Sequence, residues 1–209
     1  MKRTKISFVG EKPIFTGSPQ IVPGGFNLDR EKQRFSVGDI IPAGTLAIFD
    51  EIVKTAKVKA IGTKDKKVIT LYSNGYCSPC FSVGDKLLQA KSVSGTFEDA
   101  PSIVSIEKPG VSNAPYVITL SAEISGLAVD DVLVEVVESS TNAAVIGEPN
   151  SLTIEEVTVK EFETAIDVTE DTMQYAVMER RVLPIPDSMK DSTKRYLKAN
   201  SHIRLSQTY

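Results

Sequence analysis

The chain has 209 residues, of which 41% are hydrophobic and 24% are charged. This composition is typical of a globular protein that buries a sizeable core. No apolar run approaches the roughly 20 residues that cross a bilayer as a helix, so we expect no membrane association. The basic N-terminus lacks the apolar stretch of a secretory signal.

The net charge of −3 is unevenly distributed along the chain. Residues 1–34 carry seven basic and three acidic residues, a net charge of +4, and residues 180–209 carry seven and two, a net charge of +5. Residues 35–179 carry ten and twenty-two, a net charge of −12. Basic and aromatic residues do not interleave, so we expect no nucleic-acid binding. The pattern suits basic ends that dock on an acidic surface, or simply solvated ends.

Residues 1–34 are predicted to form an extended N-terminal arm. The span 10–34 contains three prolines and four glycines, which disfavour a helix or a central strand. Short apolar pairs such as Ile14-Phe15 and Ile21-Val22 interrupt it, unlike a free linker. The sequence therefore predicts a segment that becomes ordered by lying on another surface.

Residues 35–150 are predicted to form a mainly β domain, a small barrel or sandwich. Phe35-Ser-Val-Gly-Asp39 recurs as Phe81–Asp85, and Leu127–Leu133 is a looser third copy, with the three valines spaced 46 residues apart. Val-Ile-Thr-Leu occurs at 68–71 and again at 117–120. Two different sequence motifs that repeat in the same order predict a duplicated β unit.

Residues 151–209 are predicted to form a docking segment with a strand and a short C-terminal helix. Ser188-Met-Lys-Asp191 has the pattern of a helix N-terminal cap, and Met189, Thr193, Tyr196 and Leu197 fall on one side of a helix. The tail from His202 alternates like a last strand, which favours pairing with an exposed sheet edge.

Cys77-Ser-Pro-Cys80 contains both cysteines of the chain, in the spacing of a CxxC motif. Three interpretations remain open for Cys77 and Cys80. The pair is a structural turn, half of a metal site completed by a second copy of the chain, or a redox motif. A redox CxxC motif needs a helix N-terminus within a βαβ unit, and the surroundings here are β-rich.

The sequence offers no other constellation for catalysis. His202 is the single histidine and lies in a polar tail, which favours a solvated or interface residue. The adjacent carboxylates at 130–131, 155–156 and 170–171 do not have the spacing of a calcium loop. We therefore expect a protein that is not an enzyme and needs no cofactor.

Three segments together resemble head proteins of tailed bacteriophages. They are Gly17–Gly25, Val37-Gly-Asp-Ile-Ile-Pro-Ala-Gly-Thr45 and Ala56–Ile61, and they lie within a span of 45 residues. The likeness is to capsid decoration, auxiliary capsid and head-fibre proteins, and Pro42-Ala-Gly-Thr45 is its most specific part. The resemblance implies a virion protein without enzymatic activity, located on the capsid surface, that binds the major capsid protein and other virion proteins.

The role implied is stabilising the shell or anchoring a head fibre, and we expect a homo-oligomer. Alternatives are a glycan- or surface-binding β module of a phage fibre and, less favoured, a thiol enzyme that uses the two cysteines. The hypothesis places the anchoring contacts in the arm and the basic C-terminal segment. The expected docking residues are Pro13, Phe15, Ile21, Pro23, Phe26, Arg180, Arg181, Lys194, Arg195, Tyr196 and Arg204.

Overall fold

The computed structural model describes residues 13–22, 25–73, 76–108, 114–172 and 174–207. These residues are mainly β, as the sequence predicts. The strands of the described residues, in chain order from β1 to β18, are Gln20–Ile21, Phe26–Asn27, Ile40–Ile41, Leu46–Ile48, Glu51–Val53, Thr55–Ile61, Val68–Leu71, Lys86–Gln89, Ile103–Glu107, Tyr116–Leu120, Val132–Ser139, Asn142–Val145, Ser151–Leu152, Val157–Thr158, Ala165–Ile166, Thr169–Asp171, Val177–Met178 and Leu205–Ser206. Two short 3-10 turns cover Glu179–Arg181 and Asp187–Met189. Among the residues that the structure describes, no helix has the length and apolarity to cross a membrane.

The described residues between 55 and 145 form a curled antiparallel sheet, which we name the body. Its strand order is β12-β11-β6-β7-β10-β9, and β8 also pairs with β11. The sheet curls into half of a barrel. The two Val-Ile-Thr-Leu words are neighbours in it, since Ile69 lies opposite Ile118 and both side chains are buried. β-Branched side chains favour such a pleated, half-buried surface.

Short strands from both ends of the chain form a second unit, which we name the frame (residues 13–53 and 151–207). β1 pairs with β16, β2 with β15, β3 with β14, and β4 with both β13 and β5. Phe15 forms an antiparallel bridge with Val177, and β18 pairs in parallel with β17. The described part of the predicted arm is thus extended, but it lies on the C-terminal segment of its own chain.

The body is inserted between the two halves of the frame. Val53 and Leu152 both lie opposite Leu46, on the two sides of β4. The chain leaves the frame on one side of this strand and returns on the other. Apolar side chains from both units then share one core cluster, in which Ala90 and Val134 of the body pack with Leu152 and Val177 of the frame.

The structure does not support a duplicated β unit. The two copies of Phe-Ser-Val-Gly-Asp and the looser third copy form three similar turns rather than three similar units. The strand after the first turn pairs with β14, whereas the strand after the second pairs with β11. A motif of five residues specifies a local turn, whereas the pairing of the strand that follows is set by distant residues.

The prediction of a short C-terminal helix is wrong. Residues 187–189 form a single 3-10 turn, and the chain then turns again around Asp191. One carboxylate oxygen of Asp191 accepts hydrogen bonds from the backbone N–H groups of Arg195 and Tyr196, and the other accepts from Thr193. Side-chain acceptors that bind nearby N–H groups compete with helix formation. These hydrogen bonds lower the pKa of Asp191 to about 2, and the bond from the Thr193 hydroxyl has the largest effect.

Candidate functional site

The two cysteines do not form a reactive pair. No disulfide joins Cys77 and Cys80. Cys80 is buried in the frame core beside Phe35 and Ile41, and this burial raises the pKa of its thiol to about 12. A raised pKa removes the thiolate that redox and nucleophilic chemistry require. The geometry therefore favours the structural interpretation of this turn.

The expected docking residues of the N-terminal segment fall into different environments. Phe15 and Phe26 are buried in the core of their own chain, with exposed fractions of 8% each. Pro13 is exposed, and Ile21 lies at the surface on β1. Pro23 lies outside the described residues.

The expected docking residues of the C-terminal segment are mostly at the surface. Lys194, Arg195 and Arg204 are exposed and Tyr196 is partly buried. Tyr196 bridges Arg204, and Leu205 N–H donates to the carbonyl of Arg195, so the structure brings these residues together. We name Lys194, Arg195, Tyr196 and Arg204 the basic cluster.

The two other C-terminal docking residues lie in the 3-10 turn Glu179–Arg181. Arg180 is exposed. Arg181 donates a hydrogen bond to the carbonyl of Pro13 at 2.8 Å and stacks on Tyr76, with the ring centroid 4.8 Å away. Arg181 therefore joins the two halves of the frame at Pro13 and contacts the body at Tyr76, a role that the sequence did not predict.

A surface groove that the sequence did not predict lies where the frame meets the second Val-Gly-Asp turn. It has a volume of about 610 Å³, and Arg30, Arg34, Ser36, Val83 and Glu161 are among its lining residues. Arg30 donates to the carbonyls of Lys160 and Glu161, which holds the loop 160–162 at one side of the groove. We name this surface the arginine groove.

One exposed apolar side chain, Val83, lines the arginine groove, and Val37, Phe49 and Phe162 are next in sequence to residues that line it or are bonded to its rim. Phe162 is 85% exposed on the loop that Arg30 holds. Phe49 is 77% exposed at the tip of the β4–β5 hairpin, whose Asp50 carbonyl accepts a hydrogen bond from Asp29 N–H. Val37 and Val83, at the tips of the first and second turns, are 60% and 56% exposed. Exposed apolar residues beside a groove make this surface a candidate for an interaction site.

A buried cluster of charged side chains lies directly beneath the groove. The Lys54 side chain is completely inaccessible to solvent, and its Nζ donates to Asp85 Oδ2 at 2.7 Å and to Glu135 Oε1 at 3.4 Å. The same ammonium group donates to the carbonyl of Arg34 at 2.6 Å, and it lies 4.2 Å from the centroid of the Phe35 ring. The cluster thus joins the groove-lining segment 33–35 to the body.

Gln33 completes the cluster from the other side. Its amide exchanges hydrogen bonds with the backbone of Ile52, donating at 2.7 Å and accepting at 3.0 Å. The same Nε2 also donates to Glu135 Oε2 at 2.5 Å. Both oxygens of Glu135 are therefore held by side chains from outside its own strand.

The cluster contains more acid than base. Two carboxyl groups share one ammonium group, and Asp85 Oδ1 is buried without a hydrogen-bond partner. Burial, opposed by the attraction of Lys54 and assisted by the repulsion of Asp85, raises the pKa of Glu135 to about 7. Glu135 therefore exchanges its proton near neutral pH.

The sequence carried only a weak signal for this cluster. Lys54 follows the apolar Ile52-Val53 at the start of a long strand, and Glu135 stands between valines in Val132–Val137. A charged residue inside an apolar strand pattern indicates a buried charge that needs a partner. The partner itself comes from a turn far along the chain, which no local pattern reveals.

Neither a metal site nor a family assignment emerges. Within the described residues, no group of three or more histidine, cysteine, aspartate or glutamate side chains has a geometry that could hold a metal ion. No protein-family model matches the chain, and neither a curated protein nor a solved structure is significantly similar to it. The mainly β fold, the arginine groove and the buried cluster are therefore the observations on which a function has to be argued.

Proposed function

We propose that the chain is a structural virion protein that binds the outside of a tailed-bacteriophage capsid through the arginine groove. The observation that carries the proposal is a groove that contains two arginines and the exposed Val83, with the exposed Phe49, Phe162 and Val37 on the loops next to it. Aromatic and arginine side chains are the residues that dominate the binding energy of protein interfaces. The resemblance of residues 17–61 to capsid decoration and head-fibre proteins supplies the identity of the partner.

The rigidity of the groove supports this use. Arg34 is held through its carbonyl by Lys54 Nζ and by the Ser82 hydroxyl at 2.9 Å. Arg30 is fixed by three backbone carbonyls. Groups that are already ordered lose little conformational entropy when a partner binds. The basic cluster at the C-terminal segment offers a second contact, for an acidic surface of the same partner.

The test is co-sedimentation of the chain with capsids of the phage that encodes it. We expect the wild-type chain to migrate with the particles in a density gradient, at a fixed copy number relative to the major capsid protein. The double variant Phe49→Ser, Phe162→Ser should stay at the top of the gradient. Both side chains are largely exposed, so their replacement should change the free energy of unfolding by less than about 0.5 kcal/mol each.

A matched control is Val104→Ser. Val104 is 57% exposed on β9 and does not line the groove, so this variant should bind particles like the wild type. Recovery of wild-type chain only among unassembled proteins would contradict the proposal. Equal losses of binding in the control and in the double variant would contradict the assignment of the groove.

A further inference from the structure

The buried cluster holds an amine and a carboxyl group in contact where water cannot reach them. Lys54 Nζ and Asp85 Oδ2 are 2.7 Å apart, and neither side chain has any exposed surface. The Phe35 ring covers the ammonium group at 4.2 Å. Two charges in such a place carry a large desolvation penalty, and condensation of the two groups into an amide would remove both charges.

We propose that Lys54 and Asp85 condense into an intramolecular isopeptide bond, with Glu135 as the proton relay. Glu135, which accepts a hydrogen bond from Lys54 Nζ, first relays a proton from the ammonium group to Asp85 Oδ1, which leaves a neutral amine beside a neutral acid whose hydroxyl oxygen is Oδ1. The Nζ lone pair then attacks Asp85 Cγ, and the nitrogen gives up a proton to the Glu135 carboxylate. Glu135 returns this proton to Oδ1, the Cγ–Oδ1 bond breaks, and one water molecule leaves. The sum is one ammonium and one carboxylate converted into one amide and one water, without any oxidant or cofactor.

The hydrogen bonds of Asp85 assign different roles to its two oxygens. Oδ2 accepts from Ser82 N–H at 2.8 Å as well as from Lys54. A backbone donor fixed on this oxygen stabilises the negative charge that develops on it during attack. Oδ1 is buried and accepts no hydrogen bond. Oδ1 is therefore the oxygen that leaves as water, while Oδ2 becomes the amide carbonyl and keeps its bond to Ser82.

Glu135 has the position and the proton affinity of a relay. Its Oε1 lies 3.4 Å from Nζ, and Gln33 orients the carboxyl group by donating to Oε2. A group that both takes and returns a proton works best when its pKa lies near the operating pH. The pKa of about 7 that burial gives Glu135 meets this condition.

The neighbouring pair of Lys57 and Asp130 shows what the site adds. Lys57 Nζ also lies 2.7 Å from its carboxylate, but the two side chains are 43% and 61% exposed. Water solvates this pair, and no third carboxyl group within the described residues forms an ion pair with its ammonium group. A contact distance alone does not produce condensation, because the charged forms remain favoured in water. Lys57 therefore serves as the internal control.

The test is the intact mass of the purified full chain, measured under denaturing conditions. We expect the wild type to be lighter than its sequence by one water molecule. Protease digestion should release a branched peptide that joins the Lys54 segment to the Asp85 segment. Lys54→Arg keeps the charge and removes the nucleophile, and Glu135→Gln removes the relay, so both variants should show the full sequence mass. Lys57→Ala should still show the loss of water.

Several outcomes would overturn the proposal. One is a wild-type chain that unfolds cooperatively in urea but has its full mass after prolonged incubation at neutral pH. Another is a loss of water that persists in Lys54→Arg, because it would come from a cyclised aspartate elsewhere. Condensation in Glu135→Gln at the wild-type rate would remove the relay role. The test uses the isolated chain and is independent of capsid binding, so either proposal can fail without the other.

Discussion

The two copies of Phe-Ser-Val-Gly-Asp form the same turn in different surroundings. In both, the aspartate N–H donates to the serine carbonyl, and one aspartate oxygen accepts from the serine N–H at 2.8 Å. Both glycines have φ of +92°. Asp39 of the first turn is 20% exposed and faces Lys108 at 3.6 Å, whereas Asp85 of the second is fully buried against Lys54.

This difference separates what a short sequence word specifies from what the fold adds. The word specifies a glycine with positive φ and an aspartate that satisfies a backbone N–H group. The fold decides whether the aspartate pairs with an exposed ammonium group, as Asp39 does with Lys108, or with a buried one, as Asp85 does with Lys54. The same five residues therefore give an ordinary surface turn at Asp39 and a candidate for covalent chemistry at Asp85.

The largest contrast is expected between the two lysines. Lys54→Met leaves two carboxyl groups buried without a cation, which should cost about 3–5 kcal/mol of unfolding free energy. Loss of the proposed amide acts in the same direction. Lys108→Met removes an exposed partner and should cost less than about 1 kcal/mol. Urea denaturation of both variants measures this contrast, and similar costs would show that burial does not distinguish the two turns.

A second contrast concerns pH and depends on Glu135. The pKa of Glu135 is raised from 4.5 to about 7 in the folded chain, so the folded state holds a proton that the unfolded state has lost. The contribution of Glu135 to the unfolding free energy is complete below pH 4.5 and is lost as the pH rises through 7. We expect the unfolding free energy to fall by roughly 3 kcal/mol from pH 5 to pH 8. Burial is the largest cause of the raised pKa. The charged groups that face Glu135 are Lys54, which lowers its pKa, and Asp85, which raises it. The pKa of Glu135 is therefore raised by burial whether or not Lys54 and Asp85 have formed the amide.

Urea denaturation at several pH values measures this dependence, and Glu135→Gln is its control. The variant lacks the titrating group, so its unfolding free energy should change less over the same range. A wild type that becomes more stable between pH 5 and pH 8 would contradict the assignment.

The smallest contrast lies in the two glycines. A Cβ at position 38 meets no atom within 4 Å, whereas a Cβ at position 84 would lie 2.3 Å from Arg34 Nη1. Gly38→Ala and Gly84→Ala should each cost about 1–2 kcal/mol, since both have positive φ. Gly84→Ala should cost slightly more, because the Arg34 guanidinium group must also move. Thermal unfolding compares them, and a larger cost at Gly38 would show that Arg34 does not constrain this turn.

Local features of the fold could be predicted from the sequence, and long-range features could not. The Val-Ile-Thr-Leu words form strands and the Val-Gly-Asp words form turns because these preferences depend on adjacent residues. The repeat suggested duplication because sequence alone does not show which strands pair. The helix predicted around Tyr196 did not form, since Asp191 accepts the N–H groups that a helix would have used. The cluster of Lys54, Asp85 and Glu135 was missed because its members are 31 and 81 residues apart in sequence.

The insertion of the body into the frame has a consequence for engineering the chain. Val53 and Leu152 flank the same strand, so the two junctions of the body lie roughly 10 Å apart, twice the spacing of neighbouring strands. Another domain whose termini are equally close could be joined at these two junctions. It would have to cover Leu152 and Val177, which pack with Ala90 and Val134 of the body, and supply carboxyl groups for Lys54. Such a chimera would carry a foreign module on the strand pairs of the frame, as a display scaffold does.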